Sequence, residues 1–287
     1  MKQRKKRWFN LALLSPSLIG LFVFYIIPSF IVFYYSFLGD TISKEFVGFD
    51  NYISVLKNKS FIIALKNSFM IIGIGVPILI LISIYLILIF KDFLNKRNLW
   101  RSSFLLPMAV PTTGVVLICN LMFSYKGLLN QFMELFHIGP QDWFGSKLGI
   151  IIIITLFLWK NLGLSVIFLT VSFNRIPKDY LEIAKLEGAS SLQILRKVSL
   201  HFLAPTIMFI CLFSIGGSFK LFREVYALTG NYPAQSMYLL QHYLNNAFNR
   251  LDYSTMATAS VVFCIIAFAI ISGICIFEHI YGKDYEE

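Results

Sequence analysis

Residues 148–173 read LGIIIIITLFLWKNLGLSVIFLTVSF, an apolar stretch whose one charged residue, Lys160, lies near its middle. A run of about 20 mostly apolar residues is long enough to cross a bilayer as a helix, so this stretch predicts a membrane span. The whole chain has a similar character, since 57% of its 287 residues are hydrophobic and 14% are charged. A soluble domain carries about 25% charged residues. The composition therefore excludes a soluble globular protein and indicates an integral membrane protein.

Five further apolar runs have the length of spanning helices. The predicted spans are about 8–38, 61–90, 103–123, 148–173, 204–219 and 254–280. The fifth is the shortest and contains Gly216 and Gly217. The sequence thus predicts an all-α membrane protein, with residues 1–287 forming a single transmembrane domain of six helices.

Basic residues indicate the orientation of these spans. The segments 1–10, 91–102, 174–203 and 281–287 hold 15 Lys and Arg in about 60 residues, and the loops on the opposite side hold 8 in about 80. Because Lys and Arg accumulate on the cytoplasmic side, both termini are predicted to be cytoplasmic. The first apolar run is too long for a cleaved signal peptide and is interpreted as a retained helix.

The residues that the spans lack exclude several mechanisms. Apart from Glu278, all 15 acidic residues fall in the predicted loops or tails, so no acid near mid-membrane is expected to carry a coupling proton. No phosphate-binding G-x-x-x-x-G-K-[ST] loop is present, so the chain itself is not predicted to hydrolyse ATP. We predict no catalytic residues, no metal ligands and no bound cofactor. Energy for uphill transport would have to come from another polypeptide.

Lys160 and the adjacent Asn161 interrupt the fourth span. A lysine at the membrane centre costs about 2.5–3.5 kcal/mol on insertion scales, so it is expected to face the bundle interior or a wet cavity. It could line a solute pathway, or it could bond to helix carbonyls in a purely structural role. Because polar solutes such as sugars are bound by hydrogen-bonding groups, the pathway candidates are Lys160, Asn161 and Asn120.

Residues 174–203 separate the fourth and fifth predicted spans and contain signals for two short helices. Pro177 suits the first turn of a helix, because its missing N–H is not needed there. Gly188 can take the left-handed conformation that closes a helix, and Ser190 or Ser191 can cap a second one. The pattern predicts a cytoplasmic helix–turn–helix that fits a partner's groove. An amphipathic helix lying on lipid would have the same pattern.

The same segment resembles the EAA loop of the membrane subunits of bacterial ABC importers, whose pattern is roughly E-A-A-x-x-D-G-A followed by a hydrophobic helix and L-P. The matching residues are Glu182, Ala184, Gly188 and Ala189. The departures are Ile183 and Glu187, in place of Ala and Asp, and His201, in place of the usual Pro. Further segments resemble, in order, the sugar-permease branch typified by the maltose and glycerol-phosphate importers. They are residues 46–52, 106–111, 127–130, 159–163, 175–177, 219–233 and 247–253.

This resemblance implies a permease subunit of an ATP-driven importer that carries a sugar or a related polar solute. The implied partners are a second permease forming a heterodimer, two cytoplasmic ATPases that use the ATP, and an extracytoplasmic solute-binding protein. Membrane lipid surrounds such a chain, and no nucleic acid is implied. The residues implied to couple the chain to its ATPase are Glu182, Ala184, Glu187, Gly188 and Ala189.

Three other functions remain possible from the residues alone. A secondary carrier or channel would work without an ATPase, and a membrane enzyme would act on a lipid-linked substrate. A purely structural assembly subunit is the third. The enzyme would need clustered carboxylates or histidines at the membrane surface, and the scattered acids of this sequence predict no such cluster.

Overall fold

The computed structural model of the chain describes residues 13–39, 45–96 and 98–281, with the side chains of 13–39, 45–89 and 103–276. These residues are almost entirely helical, and their only β-type pairing is an isolated bridge between Leu38 and Phe46. The helices are α1 (Leu13–Tyr35), α2 (Asp50–Lys57), α3 (Lys59–Met70), α4 (Val76–Lys96), α5 (Asn98–Ala109), α6 (Thr112–Phe123), α7 (Leu128–Glu134), α8 (Gly149–Phe173), α9 (Lys178–Leu186), α10 (Ser191–Ile194), α11 (Leu200–Lys220), α12 (Phe222–Thr229), α13 (Leu240–Asn249) and α14 (Tyr253–Tyr281).

Six helical segments of the described residues are long and apolar enough to cross a membrane. They are Leu13–Tyr35, Lys59–Ile89, Thr112–Glu134, Gly149–Phe173, Ser191–Thr229 and Tyr253–Ile276. The predicted fold class, an all-α membrane protein with six spans, is therefore confirmed. Residues 8–12, the start of the first predicted span, lie outside the described residues.

Two of these segments, the third and the fifth, differ most in their limits from the predicted spans. The predicted run 103–123 is divided between α5 and α6, because Pro111 lacks a backbone N–H and disfavours helical backbone at the residue before it. The predicted run 204–219 is part of a much longer helical stretch, Ser191–Thr229. Gly216 and Gly217 do not interrupt that stretch, since both lie within α11.

The chain divides into two compact units. One contains the described residues up to Ile62 together with Tyr243–Phe268. Within it, the Asn51 amide donates to the carbonyl of Ser36 at 3.0 Å, and the Thr258 hydroxyl donates to the same carbonyl at 3.1 Å. These bonds connect α2 and α14 to the end of α1.

The other unit contains Ile63–His242 and the described residues from Ala269. At its centre, α8 packs against α4, α5 and α11. Lipid tails are as apolar as the side chains of membrane helices, so the hydrophobic effect does not hold such helices together. Their packing depends instead on close approach. At Gly163 a Cβ atom would overlap the carbonyl oxygen of Phe104, so the backbones of α5 and α8 are in direct contact there.

Candidate functional site

Lys160 forms a largely buried ion pair with Glu224. Lys160 lies near the middle of α8, and its ammonium group donates to Glu224 Oε1 from α12. The exposed fractions of the two side chains are 17% and 2%. The two charges compensate each other where neither could be buried alone. The second carboxylate oxygen, Oε2, is buried and has no hydrogen-bond partner among the described residues.

Glu224 corrects the sequence interpretation, which placed every acidic residue except Glu278 outside the spans. Glu224 lies within the fifth candidate span, Ser191–Thr229, and is buried there. Two signals could have found it. The apolar residues Leu221, Val225 and Leu228 continue the helical pattern beyond Lys220, and a mid-membrane lysine needs a counter-ion. Because this candidate span contains a buried acid, a proton-coupled carrier is no longer excluded.

A polar cavity of about 200 Å³ adjoins this ion pair. Its charged and amide lining consists of Lys160, Asn161, Lys220, Arg223 and Glu224, and its apolar lining includes Met108, Phe213 and Leu221. A concave apolar surface with a few converging polar groups is typical of small-molecule sites. We refer to this feature as the polar cavity.

The structure places two of the three predicted pathway residues together. Lys160 and Asn161 both line the polar cavity. The Asn161 amide donates to the carbonyl of Phe157 at 2.8 Å, which orients its side chain oxygen toward α11 beside Gly217. Asn120 is exposed on α6 and is not among the residues that line this cavity.

Residues 178–199 form the helix–turn–helix segment, and its turn is built as the local sequence predicts. Gly188 has φ +79°, in the left-handed region that a residue with a Cβ adopts at a cost. The Ala189 N–H donates to the Ala184 carbonyl, and the Gly188 N–H to the Lys185 carbonyl, each at 3.0 Å. This pair of bonds is a Schellman motif, which satisfies the last carbonyls of α9.

Ser190 begins the second helix of this segment with a capping box. The Gln193 N–H donates to the Ser190 hydroxyl at 3.4 Å, and the Ser190 N–H donates to the Gln193 side-chain oxygen at 2.7 Å. Of the two serines that the sequence offered, Ser190 is therefore the cap. The second helix continues through a π-helical turn, Leu195–Ser199, directly into α11. The fifth candidate span, Ser191–Thr229, therefore begins with α10 itself, and no loop separates the turn from α11.

The surface of the helix–turn–helix segment has two features that suit a partner. A groove of about 310 Å³ is lined by Ala184, Glu187, Gly188 and Ala189, which are four of the five predicted coupling residues. The fifth, Glu182, is exposed on α9 outside this groove. The apolar side chains of α9 are also exposed, at 56% for Tyr180, 55% for Ile183 and 88% for Leu186.

A buried histidine, His242, lies outside the six candidate spans. It belongs neither to the polar cavity nor to the helix–turn–helix segment. His242 Nδ1 accepts from the Leu239 N–H at 3.2 Å, and its ring lies 4.8 Å from that of Phe222. Burial lowers the pKa of His242 to about 4, so the imidazole is neutral at physiological pH. Across the described residues, no three His, Cys, Asp or Glu side chains come together in a group that could hold a metal ion.

Known proteins with similar sequences are membrane components of transport systems. The chain is 27% identical over 272 residues to the arabinooligosaccharides transport system permease protein AraP of Bacillus subtilis, a match that covers 90% of this chain and 85% of AraP. It is 27% identical over 269 residues to the trehalose/maltose transport system permease protein MalF of Thermococcus litoralis, covering 91% of this chain and 90% of MalF.

The fold is that of a known ABC transporter chain. A crystal structure of a bacterial alginate ABC transporter, in complex with an alginate pentasaccharide-bound periplasmic protein, contains a chain that superposes with a TM-score of 0.79. The match covers 96% of each chain at 19% sequence identity. The profile of the family described as the binding-protein-dependent transport system inner membrane component matches residues 56–280. Because that match spans well over half of the chain, the protein belongs to this family of inner membrane transport components.

Proposed function

We propose that the chain is a non-catalytic permease subunit that imports a sugar or a related polar solute at the expense of ATP hydrolysed by a separate protein. The family membership supports the transport role, and the names of AraP and MalF support a saccharide as the solute. The single observation that supports the coupling role is the helix–turn–helix segment. Its turn is capped on both sides, and the apolar side chains of α9 are exposed.

The helix–turn–helix segment is the proposed contact with the ATPase. Tyr180, Ile183 and Leu186 follow one another at three-residue spacing on α9, as expected for a helix whose face fills a groove. The coupling residues are Glu182, Ala184, Glu187, Gly188 and Ala189. Since α10 leads directly into α11, movement of the turn would be transmitted to the helix that carries one wall of the polar cavity.

The remaining partners follow from this role. A second permease would complete a heterodimer, two ABC ATPases would bind on the cytoplasmic side, and an extracytoplasmic binding protein would deliver the solute. The chain binds no cofactor in this proposal, because ATP is used by the ATPases. The excess of Lys and Arg in the segment 174–203 and the terminal segments supports cytoplasmic termini and contact with anionic lipid.

The proposed solute pathway includes the polar cavity. Lys160 and Asn161 line it, and Asn120 on α6 is proposed as a pathway residue at a separate position. The exposed location of Asn120 suits a surface that a second permease would cover, with the solute passing between the two subunits.

Two substitutions in the helix–turn–helix segment test the coupling role. Gly188→Pro removes the left-handed turn, and Glu182→Lys reverses an exposed charge on α9. We expect both variants to insert normally into the membrane, to lose co-purification with the ATPase and to lose ATP-dependent uptake. Glu45→Lys makes the same charge reversal at an exposed position outside the candidate spans and is the matched control.

The coupling role is wrong if either variant keeps its ATPase and full transport. The charge reversal protects the test from a folding defect, because Glu182 is exposed and its replacement does not strain the backbone. Solute uptake that continues in membranes without any ATPase would instead support a secondary carrier or channel.

A further inference from the structure

The polar cavity carries an excess of positive charge. Three of its lining residues are cationic, namely Lys160, Lys220 and Arg223, and one, Glu224, is anionic. The ion pair between Lys160 and Glu224 cancels one charge of each sign. Among the described residues, neither Lys220 nor Arg223 is paired with a carboxylate. The cavity therefore has a net charge of about +2 when all four groups are ionised.

The surroundings of Lys220 and Arg223 strengthen their attraction for an anion, relative to a lysine on a flat surface. Lys220 and Arg223 share a concave wall with Met108, Phe213 and Leu221. Apolar walls focus the field of nearby charges and raise the local concentration of ions of opposite sign. The Arg223 guanidinium can also bind a carboxylate or phosphate through two parallel hydrogen bonds, which a lysine cannot do.

The same cavity also offers an acceptor for hydroxyl groups. One N–H of the Asn161 amide donates to the Phe157 carbonyl, and the side-chain oxygen can accept from a ligand. Glu224 also lines the cavity, where its Oε1 accepts from Lys160 and its Oε2 is buried without a partner among the described residues. A ligand that satisfies the whole lining would combine an anionic group with hydroxyl donors.

We propose that the solute that passes through the polar cavity is an anionic saccharide, with its carboxylate, phosphate or sulfate bound by Lys220 and Arg223 and its hydroxyl groups bound by Asn161. This rests on the proposed function and adds the charge of the solute. The same cations could instead hold the phosphate of a lipid headgroup, so the test must separate the two sources of anion.

The experiment measures ATP-dependent uptake into proteoliposomes that contain the complete importer with its binding protein. The probes are matched pairs that differ in charge: digalacturonate with galactobiose, and glucose 6-phosphate with glucose. Each pair is tested with the native chain and with Lys220→Gln/Arg223→Gln. Lys126→Gln/Lys147→Gln removes two exposed charges outside the polar cavity and is the control. Vesicles of neutral lipid and vesicles with added anionic lipid are compared.

We expect a charged probe to be transported in preference to its neutral counterpart in both kinds of vesicle. The cavity variant should lower uptake of the charged probe on the order of tenfold, the effect of losing hydrogen bonds to a charged group, and the control should not. Transport of neutral probes only, or an equal loss for both members of a pair, overturns the proposal. So does a loss that appears only with anionic lipid. A complex that hydrolyses no ATP and transports neither kind of probe contradicts the proposed function instead.

Discussion

At the scale of single residues, the ion pair between Lys160 and Glu224 offsets the cost of placing a lysine within a membrane span. An isolated charge in a membrane span is expensive, and an opposite charge offsets the expense only if both groups are held in place. Glu224 is held by α12, which begins two residues after α11 ends. Its position beside the polar cavity places a compensated pair, rather than a bare lysine, next to the proposed solute.

Glu224→Ala should therefore destabilise the protein strongly. It leaves the largely buried Lys160 without its counter-ion, and removing one partner of a buried ion pair costs up to about 3–5 kcal/mol. Lys160→Met/Glu224→Leu removes both charges and should lose less than half as much. Arg223→Gln, at an exposed neighbouring position, should lose less than about 1 kcal/mol. Unfolding of the detergent-solubilised variants measures these differences in stability. A double variant that loses as much stability as Glu224→Ala would contradict this account of the ion pair.

At the scale of elements, the connection between α6 and α8 is organised by Asn130 of α7. Its amide nitrogen donates to the carbonyls of Tyr125 at 3.0 Å and Gln141 at 2.9 Å. Its amide oxygen accepts from the Gln141 N–H at 3.0 Å and from the Trp143 indole N–H at 2.8 Å. One buried side chain thus holds both ends of the loop. Asn130 lies in one of the segments that resemble sugar permeases, but its sequence surroundings did not indicate that it holds this loop.

Asn130→Ala should loosen this loop without unfolding the spans. Hydrogen bonds contribute about 0.5–1.5 kcal/mol each, so losing the set should cost on the order of 3 kcal/mol of local stability. We expect faster hydrogen exchange at the Gln141 amide, which has lost its acceptor. Gln131→Ala, which removes one exposed bond to the Lys126 carbonyl, is the adjacent control. Equal exchange rates in the two variants would mean that Asn130 does not hold the loop.

At the scale of the whole molecule, glycine residues allow helices of the larger unit, which contains Ile63–His242, to pack closely. Gly163 allows the backbone of α8 to lie against that of α5. Gly75 accommodates the ring of Phe157, because a Cβ atom at position 75 would lie only 2.9 Å from that ring. Because α8 also packs against α4 and α11, a change in its position would affect the polar cavity as well as the core.

Gly163→Ala should force α5 and α8 apart. The added Cβ would meet the backbone carbonyl of Phe104, which cannot move without its helix. Overpacking of this kind costs about 1–3 kcal/mol or more. Gly273→Ala places a Cβ where nothing lies within 4 Å, and should leave stability unchanged or raise it by up to about 1 kcal/mol. Thermal unfolding compares the two, and equal midpoints would contradict this account of the packing.

Local chemistry was enough to predict the number of spans and the helix–turn–helix segment, although not the limits of the third and fifth spans. Apolar length determines whether a helix can cross a bilayer, and Gly188 and Ser190 act through neighbours within five positions of the chain. Lys160 was likewise identifiable, because a charge in an apolar run is evident without coordinates.

Only the tertiary structure decided how these parts form a site. Glu224 was assigned to a loop by its sequence surroundings, yet it pairs with Lys160, 64 positions away. That contact depends on how α8 packs against the helices of the fifth candidate span. The same packing brings Asn161 into the polar cavity and leaves Asn120 outside it. Periodicity describes the face of one helix, whereas a cavity is defined by which faces of several helices meet.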